Sequence, residues 1–236
     1  MQILVINPNS SENITTLLEK TLTKCCPPDV SLEFCTCPKP GAAVIDSITE
    51  ATLTAALIYQ NILTPKLSGS YDAIVVACYS PTPLVEMIRE SFDVPCLGIV
   101  QASIQSAMSV GRRIGILTTT KRSELMLYEL LKHLGISRTI IAGIQSSGLT
   151  VEQLATLPEE ERISLLVSKA RKLVLDLNAD VVCLGGAVLA SLRDLIQEAI
   201  GPNIVIVDGV RSAVEQLATL VRQGIRTSKG GIYTKI

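Results

Sequence analysis

The sequence has no tryptophan, two phenylalanines and a single histidine, His133, in 236 residues. A chain so poor in aromatics must fill its interior with aliphatic side chains, which favours buried parallel strands. One histidine, and seven cysteines (25, 26, 35, 37, 78, 96 and 183) without a CxxC pair, remove the usual zinc-ligand combinations. The odd cysteine count also argues against a disulfide framework and for a reducing, cytoplasmic setting. Charge of one sign is missing as well. With 21 basic and 22 acidic residues the net charge is −1, which leaves no footprint for nucleic acid or an anionic membrane. No run approaches the roughly 18 continuous apolar residues of a membrane span, and the start MQILVINPNSS does not read as a signal peptide. No GxGxxG follows a strand, and GxxxxGK[ST] and GxSxG are absent, which excludes the common dinucleotide, nucleoside triphosphate and serine hydrolase signatures. Small-molecule partners, no metal and no cofactor are the expectation.

What is present is 47% hydrophobic residues arranged as short aliphatic runs alternating with segments of helical period. That is the pattern of βα units. Strands are predicted at 3–6, 31–34, 73–77, 96–99, 114–117, 139–142, 181–184 and 204–207. Helices are predicted after Ser10 or Ser11 as cap, after Thr82-Pro83 with Thr82 as cap, and from Ser123, Glu160 and Gly209. Residues 227–236 are expected to fray.

The chain also repeats itself. Residues 71–78, YDAIVVAC, lie on residues 179–186, ADVVCLGG, with Cys78 opposite Gly186. A similar offset pairs 3–7 with 114–118, and 95–99 with 202–207. The expected fold is therefore α/β with two pseudo-symmetric lobes, each a short, mostly parallel sheet flanked by helices, with the active site between the lobes. Residues 1–98 plus 208–236 form the N-terminal lobe and residues 99–207 the C-terminal lobe.

Ligands of open parallel sheets collect at the carboxyl ends of the strands. Four segments fall there: Asn7-Pro8-Asn9-Ser10, Cys78-Tyr79-Ser80-Pro81-Thr82, Thr118-Thr119-Thr120 and Gly185-Gly186-Ala187. Cys78 is the candidate acid/base residue, on the expectation that a neighbouring helix N-terminus lowers its pKa. Asn9, Ser10, Tyr79, Ser80, Thr118, Thr119, Gly185 and Ala187 are the candidate substrate holders, through side chains or backbone N–H groups. Asn-Pro-Asn-Ser equally describes a plain turn and helix cap. Cys183 reads as core, and His133 as a residue favoured by a helix carboxyl end.

In these residues the chain resembles the hydantoin and allantoin racemase branch of the aspartate/glutamate racemase superfamily. The resemblance rests on ILVINPNS at 3–10, Ala77-Cys78 followed by Leu84, PCLGI at 95–99, ILTT at 116–119, residues 180–187 and Asp208-Gly209-Val210. It implies a cofactor-independent isomerase acting on hydantoin, allantoin or a related amino-acid derivative, assembled as a homo-oligomer. In it, two cysteines face opposite sides of a carbon beside a carbonyl. The resemblance puts the second cysteine at position 186, where this chain has glycine, and glutamate in many relatives at position 101, where it has Gln101. Alternatives left open are a single-cysteine decarboxylase or isomerase of the same superfamily, and a ligand-binding protein that has lost activity.

Overall fold

The computed structural model describes residues 1–64 and 71–234. The chain divides into two compact units, Met1–Ile99 with Val210–Ile236, and Val100–Gly209.

The first unit is built on a parallel sheet of order β2-β1-β3-β4, with β1 Gln2–Asn7, β2 Ser31–Thr36, β3 Ala73–Val76 and β4 Cys96–Gly98. Its central strands are buried on both faces, which is why they read as unbroken aliphatic runs. The connecting helices are α1 Glu12–Thr23, α2 Ile48–Ile58 and α3 Leu84–Ser91. Leu4, Ile6, Ile58, Ile74, Val76, Leu84 and Ile88 meet in one core, each such side chain contributing about 1.5–3 kcal/mol of burial. Ser11 takes the N-cap position of α1, but its hydroxyl makes no cap bond. The expectation of Thr82 as cap and Pro83 as first helical residue is corrected by one position: Pro83 takes the N-cap place of α3, and Thr82 only accepts the Leu84 N–H at 3.3 Å.

The second unit repeats this plan with order β6-β5-β7-β8: β5 Ile114–Thr118, β6 Ile141–Ser146, β7 Val181–Gly185 and β8 Val205–Asp208, all parallel. Its helices are α4 Ile99–Val110, which begins on the last residue of the first unit, α5 Lys121–His133, α6 Val151–Thr156, α7 Glu159–Leu175, the single turn α8 Ala187–Ala190, and α9 Arg193–Ile200. Asp180 accepts the backbone N–H groups of Arg112 and Arg113 at 2.9–3.0 Å and so fastens the start of β7 to that of β5. The final helix α10, Gly209–Arg222, belongs almost wholly to the first unit, where Val210, Ala213, Val214, Leu217 and Ala218 form its buried stripe.

Three further local expectations are corrected. Strand β6 starts at Ile141 rather than 139, because Ser137 accepts the Thr139 N–H and Arg138–Ile140 turns as a 3₁₀ segment. Helix α5 starts at Lys121, two residues before Ser123, because Thr120 is its cap and accepts the Ser123 N–H at 3.1 Å. The tail does not fray over its described part. Thr227 bonds the Asp93 and Val94 carbonyls, Arg226 pairs with Asp93, and Lys229 donates to the carbonyls of Arg89, Glu90 and Phe92 at the end of α3. Residues 235 and 236 of that tail lie outside the described residues.

Candidate functional site

In the first unit the ends of β1 and β3 carry the candidates. Asn7, fully buried, donates to Asn9 Oδ1 at 3.0 Å and to the Ser11 carbonyl and Thr15 hydroxyl, while Asn9 Oδ1 also accepts the Ser11 N–H. The Asn-Pro-Asn-Ser turn is thus an internally bonded Asx structure, with Asn9 half-buried. Ser10 is committed elsewhere: its N–H donates to the Ala42 carbonyl and its hydroxyl to the Gly41 carbonyl, each at 2.8 Å. The Ser80 hydroxyl donates in the same manner to the Ile45 carbonyl at 2.9 Å. Residues 41–45, which follow β2, therefore form a strap across the ends of β1 and β3. It bonds Ser10, next to Asn9, and Ser80, two residues beyond Cys78, to one loop.

Cys78 follows the end of β3. Of the seven cysteines it alone is both partly accessible and beyond the carboxyl end of a strand, Cys37, Cys96 and Cys183 being buried. The Ser80 N–H points at its sulfur from 3.4 Å. Burial pushes the thiol pKa above the ordinary cysteine range, and hydrogen bonding from Ser80 offsets this only in part. The expectation of a lowered pKa is corrected here. Helix α3 starts only at Leu84, and no cation is among the groups that shift the thiol, so desolvation wins. Tyr79 is buried.

In the second unit Thr118 is buried and donates its hydroxyl to the Gly185 carbonyl at 3.0 Å, tying β5 to β7 rather than presenting a free donor. Thr119 is half-buried, and its carbonyl accepts the Ser147 hydroxyl and the Gly148 N–H, both at 2.9 Å. The end of β6 is in turn held by Glu124, whose carboxylate accepts the Ser146 N–H at 2.7 Å and pairs with Lys121. Burial raises the Glu124 pKa, yet Lys121 and Ser146 together carry it below the usual carboxylate range. Gly185, Gly186 and Ala187 complete this cluster. Gly186 is half-buried with φ 164° and ψ 139°, an extended conformation open to any residue. A Cβ there would meet Leu189, Thr119 and Val188 carbon atoms at 3.8–3.9 Å, ordinary van der Waals contact. Position 186 has room for a Cβ.

Cys183 sits within β7, donates to the Ser103 carbonyl at 3.6 Å, and has its pKa pushed up to about 12 by burial, as suits a core residue. His133 is the last residue of α5, at the opposite end of that helix from Thr120. Sequence reasoning missed the strap and the Glu124 bond. The strap binds through backbone carbonyls, which leave no mark on a sequence, and Glu124 looked like any charge in a first helical turn. No helix among the described residues is long and apolar enough to cross a membrane.

Two four-stranded parallel sheets of one strand order, each with polar groups at its strand ends, define an α/β protein built on a repeated sheet plan. The profile of the Asp/Glu/Hydantoin racemase family matches residues 3–217, and the chain belongs to that family. It is 65% identical to an uncharacterised protein of Schizosaccharomyces pombe, over 98% of each chain. It is 30% identical to the hydantoin racemase of Rhizobium meliloti, over 99% of this chain and 94% of that one. The crystal structure of allantoin racemase from Pseudomonas fluorescens matches with a TM-score of 0.90 at 27% identity, covering 100% of this chain and 97% of the other.

Proposed function

We propose that the chain catalyses cofactor-independent proton transfer at a carbon beside a carbonyl, on a hydantoin, allantoin or similar cyclic ureide, with Cys78 as the acid/base residue. The observation that carries this reading is the placement of Cys78, a half-buried residue beyond the end of β3, with the Ser80 N–H 3.4 Å from its sulfur. The names of the racemases it resembles supply the substrate class.

Removing such a proton builds negative charge on the carbonyl oxygen, and fixed N–H donors stabilise that charge. Asn9, the Thr119 hydroxyl and the backbone N–H groups of Tyr79, Gly186 and Ala187 fill this role. Ser10, Ser80 and Thr118, whose hydroxyls already donate to carbonyls, act as positioning residues. In this reading Gly186 stands where the second acid/base cysteine of a two-base racemase belongs. The chain works on small molecules as a homo-oligomer in the cytoplasm.

The test is proton NMR of allantoin and 5-substituted hydantoins in deuterated buffer, with uncatalysed exchange subtracted. Loss of the C5 proton signal, abolished in Cys78→Ala, supports the reading. Full exchange in Cys78→Ala sinks it. Release of carbon dioxide from substituted malonates without ureide exchange favours the decarboxylase, and tight ureide binding without exchange favours a binding protein.

A further inference from the structure

The turn that follows β1 fixes which end of an amide it offers. Asn7 is fully buried; its Oδ1 accepts the Asn9 N–H at 3.3 Å, and its Nδ2 donates to the Ser11 carbonyl at 3.1 Å. A backbone N–H only donates and a backbone carbonyl only accepts, so the Asn7 amide has one orientation here. Its Nδ2 also donates to Thr15 Oγ1 and to Asn9 Oδ1, each at 3.0 Å. Behind Asn7 the hydroxyls run one way. Thr36 donates to the Glu12 carboxylate at 2.9 Å, so the 2.7 Å bond between Thr15 and Thr36 is donated by Thr15. With its hydrogen committed to Thr36, Thr15 only accepts from Asn7. A reversed Asn7 amide would set its oxygen against three acceptors, the Ser11 carbonyl, Thr15 Oγ1 and Asn9 Oδ1.

Asn9 inherits this orientation. Its Oδ1 accepts both Asn7 Nδ2 and, at 2.9 Å, the Ser11 N–H, so the amide oxygen is committed inside the turn. The end that remains is Nδ2 with two hydrogens, which has no hydrogen-bond partner among the described residues. The turn leaves the sheet beside the segment that begins with Cys78. The Ala77 N–H donates to the Ile6 carbonyl at 2.8 Å, which keeps β1 and β3 in register up to the residue before that cysteine.

We propose that Asn9 is a donor-only contact, its amide N–H group binding a carbonyl or carboxylate oxygen of the substrate, and that the buried Asn7 is the positioning residue that holds it so. This rests on the reading of this strand end as the place where the ureide carbonyl is held. The position takes an oxygen acceptor and refuses a group that offers only N–H.

The experiment measures hydantoin binding to the full chain, to Asn9→Asp and to Asn7→Asp by calorimetry, and follows the Asn9 side-chain N–H signals by proton–nitrogen NMR. Those signals are identified by their loss in Asn9→Asp. That variant keeps an oxygen for Asn7 and Ser11 to donate to, and exchanges only the remaining N–H group for oxygen. The expected result is an Asn9 signal that shifts when hydantoin is added, and binding to Asn9→Asp at least about tenfold weaker with the urea midpoint unchanged. Asn7→Asp sets a carboxylate oxygen against Asn9 Oδ1, so it should bind about tenfold more weakly and its Asn9 signal should no longer respond. Should Asn7→Asp not fold, Asn7→Ser, too short to reach Asn9, is measured in its place with the same expectation.

Unchanged affinity in Asn9→Asp, or an Asn9 signal that saturating hydantoin leaves unmoved, overturns the donor contact, while Cys78-dependent hydrogen exchange would still uphold the proposed function. A folded Asn7 variant with full affinity overturns the positioning role. Asn9-dependent binding without exchange upholds the donor contact while the acid/base reading of Cys78 falls. An unmodified chain that neither binds hydantoin nor exchanges its hydrogen removes both.

Discussion

The Ser80 backbone N–H lies 3.4 Å from the Cys78 sulfur, while the hydroxyl of the same serine donates to the Ile45 carbonyl at 2.9 Å. One residue thus touches both the candidate acid/base thiol and the strap that follows β2. Ser80→Ala keeps the N–H and loses the hydroxyl. We expect this variant to lose about 1 kcal/mol of stability in urea unfolding. Its Cys78 thiol should keep its reactivity with iodoacetamide at fixed pH, because the donor that faces the sulfur is the Ser80 N–H, which the variant retains. Unchanged stability would mean that the strap does not hold this end of β3.

Burial raises the Cys78 pKa, so the thiolate is the minor form at neutral pH and grows as pH rises. Alkylation of Cys78, followed on its own peptide by mass spectrometry, should climb about tenfold per pH unit from pH 7 to beyond the usual thiol value of about 8.5. Catalysed hydrogen exchange should climb with it. A plateau near neutrality would show a lowered pKa and contradict the electrostatics described above.

The central strands were legible because fully buried parallel strands are short aliphatic runs, and the internal repeat pairs β3 with β7, which hold equivalent places in sheets of the same order; β6, only partly buried, was placed two residues early. Helix α2 was not legible. Ile48 and Leu53 are exposed on it while Thr54 is buried, which blurs the helical period. Strand-end candidates could be found because an aliphatic run stops where its strand stops. The commitments of their side chains could not. That Ser10 and Ser80 donate to Gly41 and Ile45 depends on where a loop of small and aliphatic residues crosses the sheet end, which no local pattern encodes.

Glycines in the second unit should differ sharply in tolerance. Gly186→Ala meets only contacts of 3.8–3.9 Å, so its stability should change by less than about 0.5 kcal/mol. At Gly143 a Cβ would stand 2.5 Å from Leu177 Cδ1, and at Gly111 it would stand 2.5 Å from Asp180 Oδ1 and 2.8 Å from Val181 Cγ1. Gly111→Ala should cost about 1–3 kcal/mol by chemical denaturation, and Gly143→Ala less, because Leu177 Cδ1 is the end of a flexible side chain that can turn aside. Equal losses at all three positions would contradict the packing.

Glu124 is ionised in the fold at a pKa below the usual carboxylate range, so its contribution is present above the unfolded value of about 4.3 and lost as pH falls through the folded value. Glu124→Gln should lose about 1–3 kcal/mol at pH 7, because the charged hydrogen bonds to Lys121 and Ser146 are weakened. The difference from the unmodified chain should shrink below pH 4. A gap that is constant across pH 3–7 would show that ionisation is not what Glu124 contributes.

The most direct measurement follows the optical rotation of an enantiopure 5-alkylhydantoin with the unmodified chain, Gly186→Cys, and Gly186→Cys combined with Cys78→Ala. A Cβ fits at position 186 without a clash, so the account predicts that Gly186→Cys gains racemisation at least about a hundredfold above the unmodified chain. The combined variant should lose that gain. A folded Gly186→Cys protein with no racemisation, or racemisation that survives the loss of Cys78, would contradict the assignment of Cys78 and position 186 as the two proton-transfer positions.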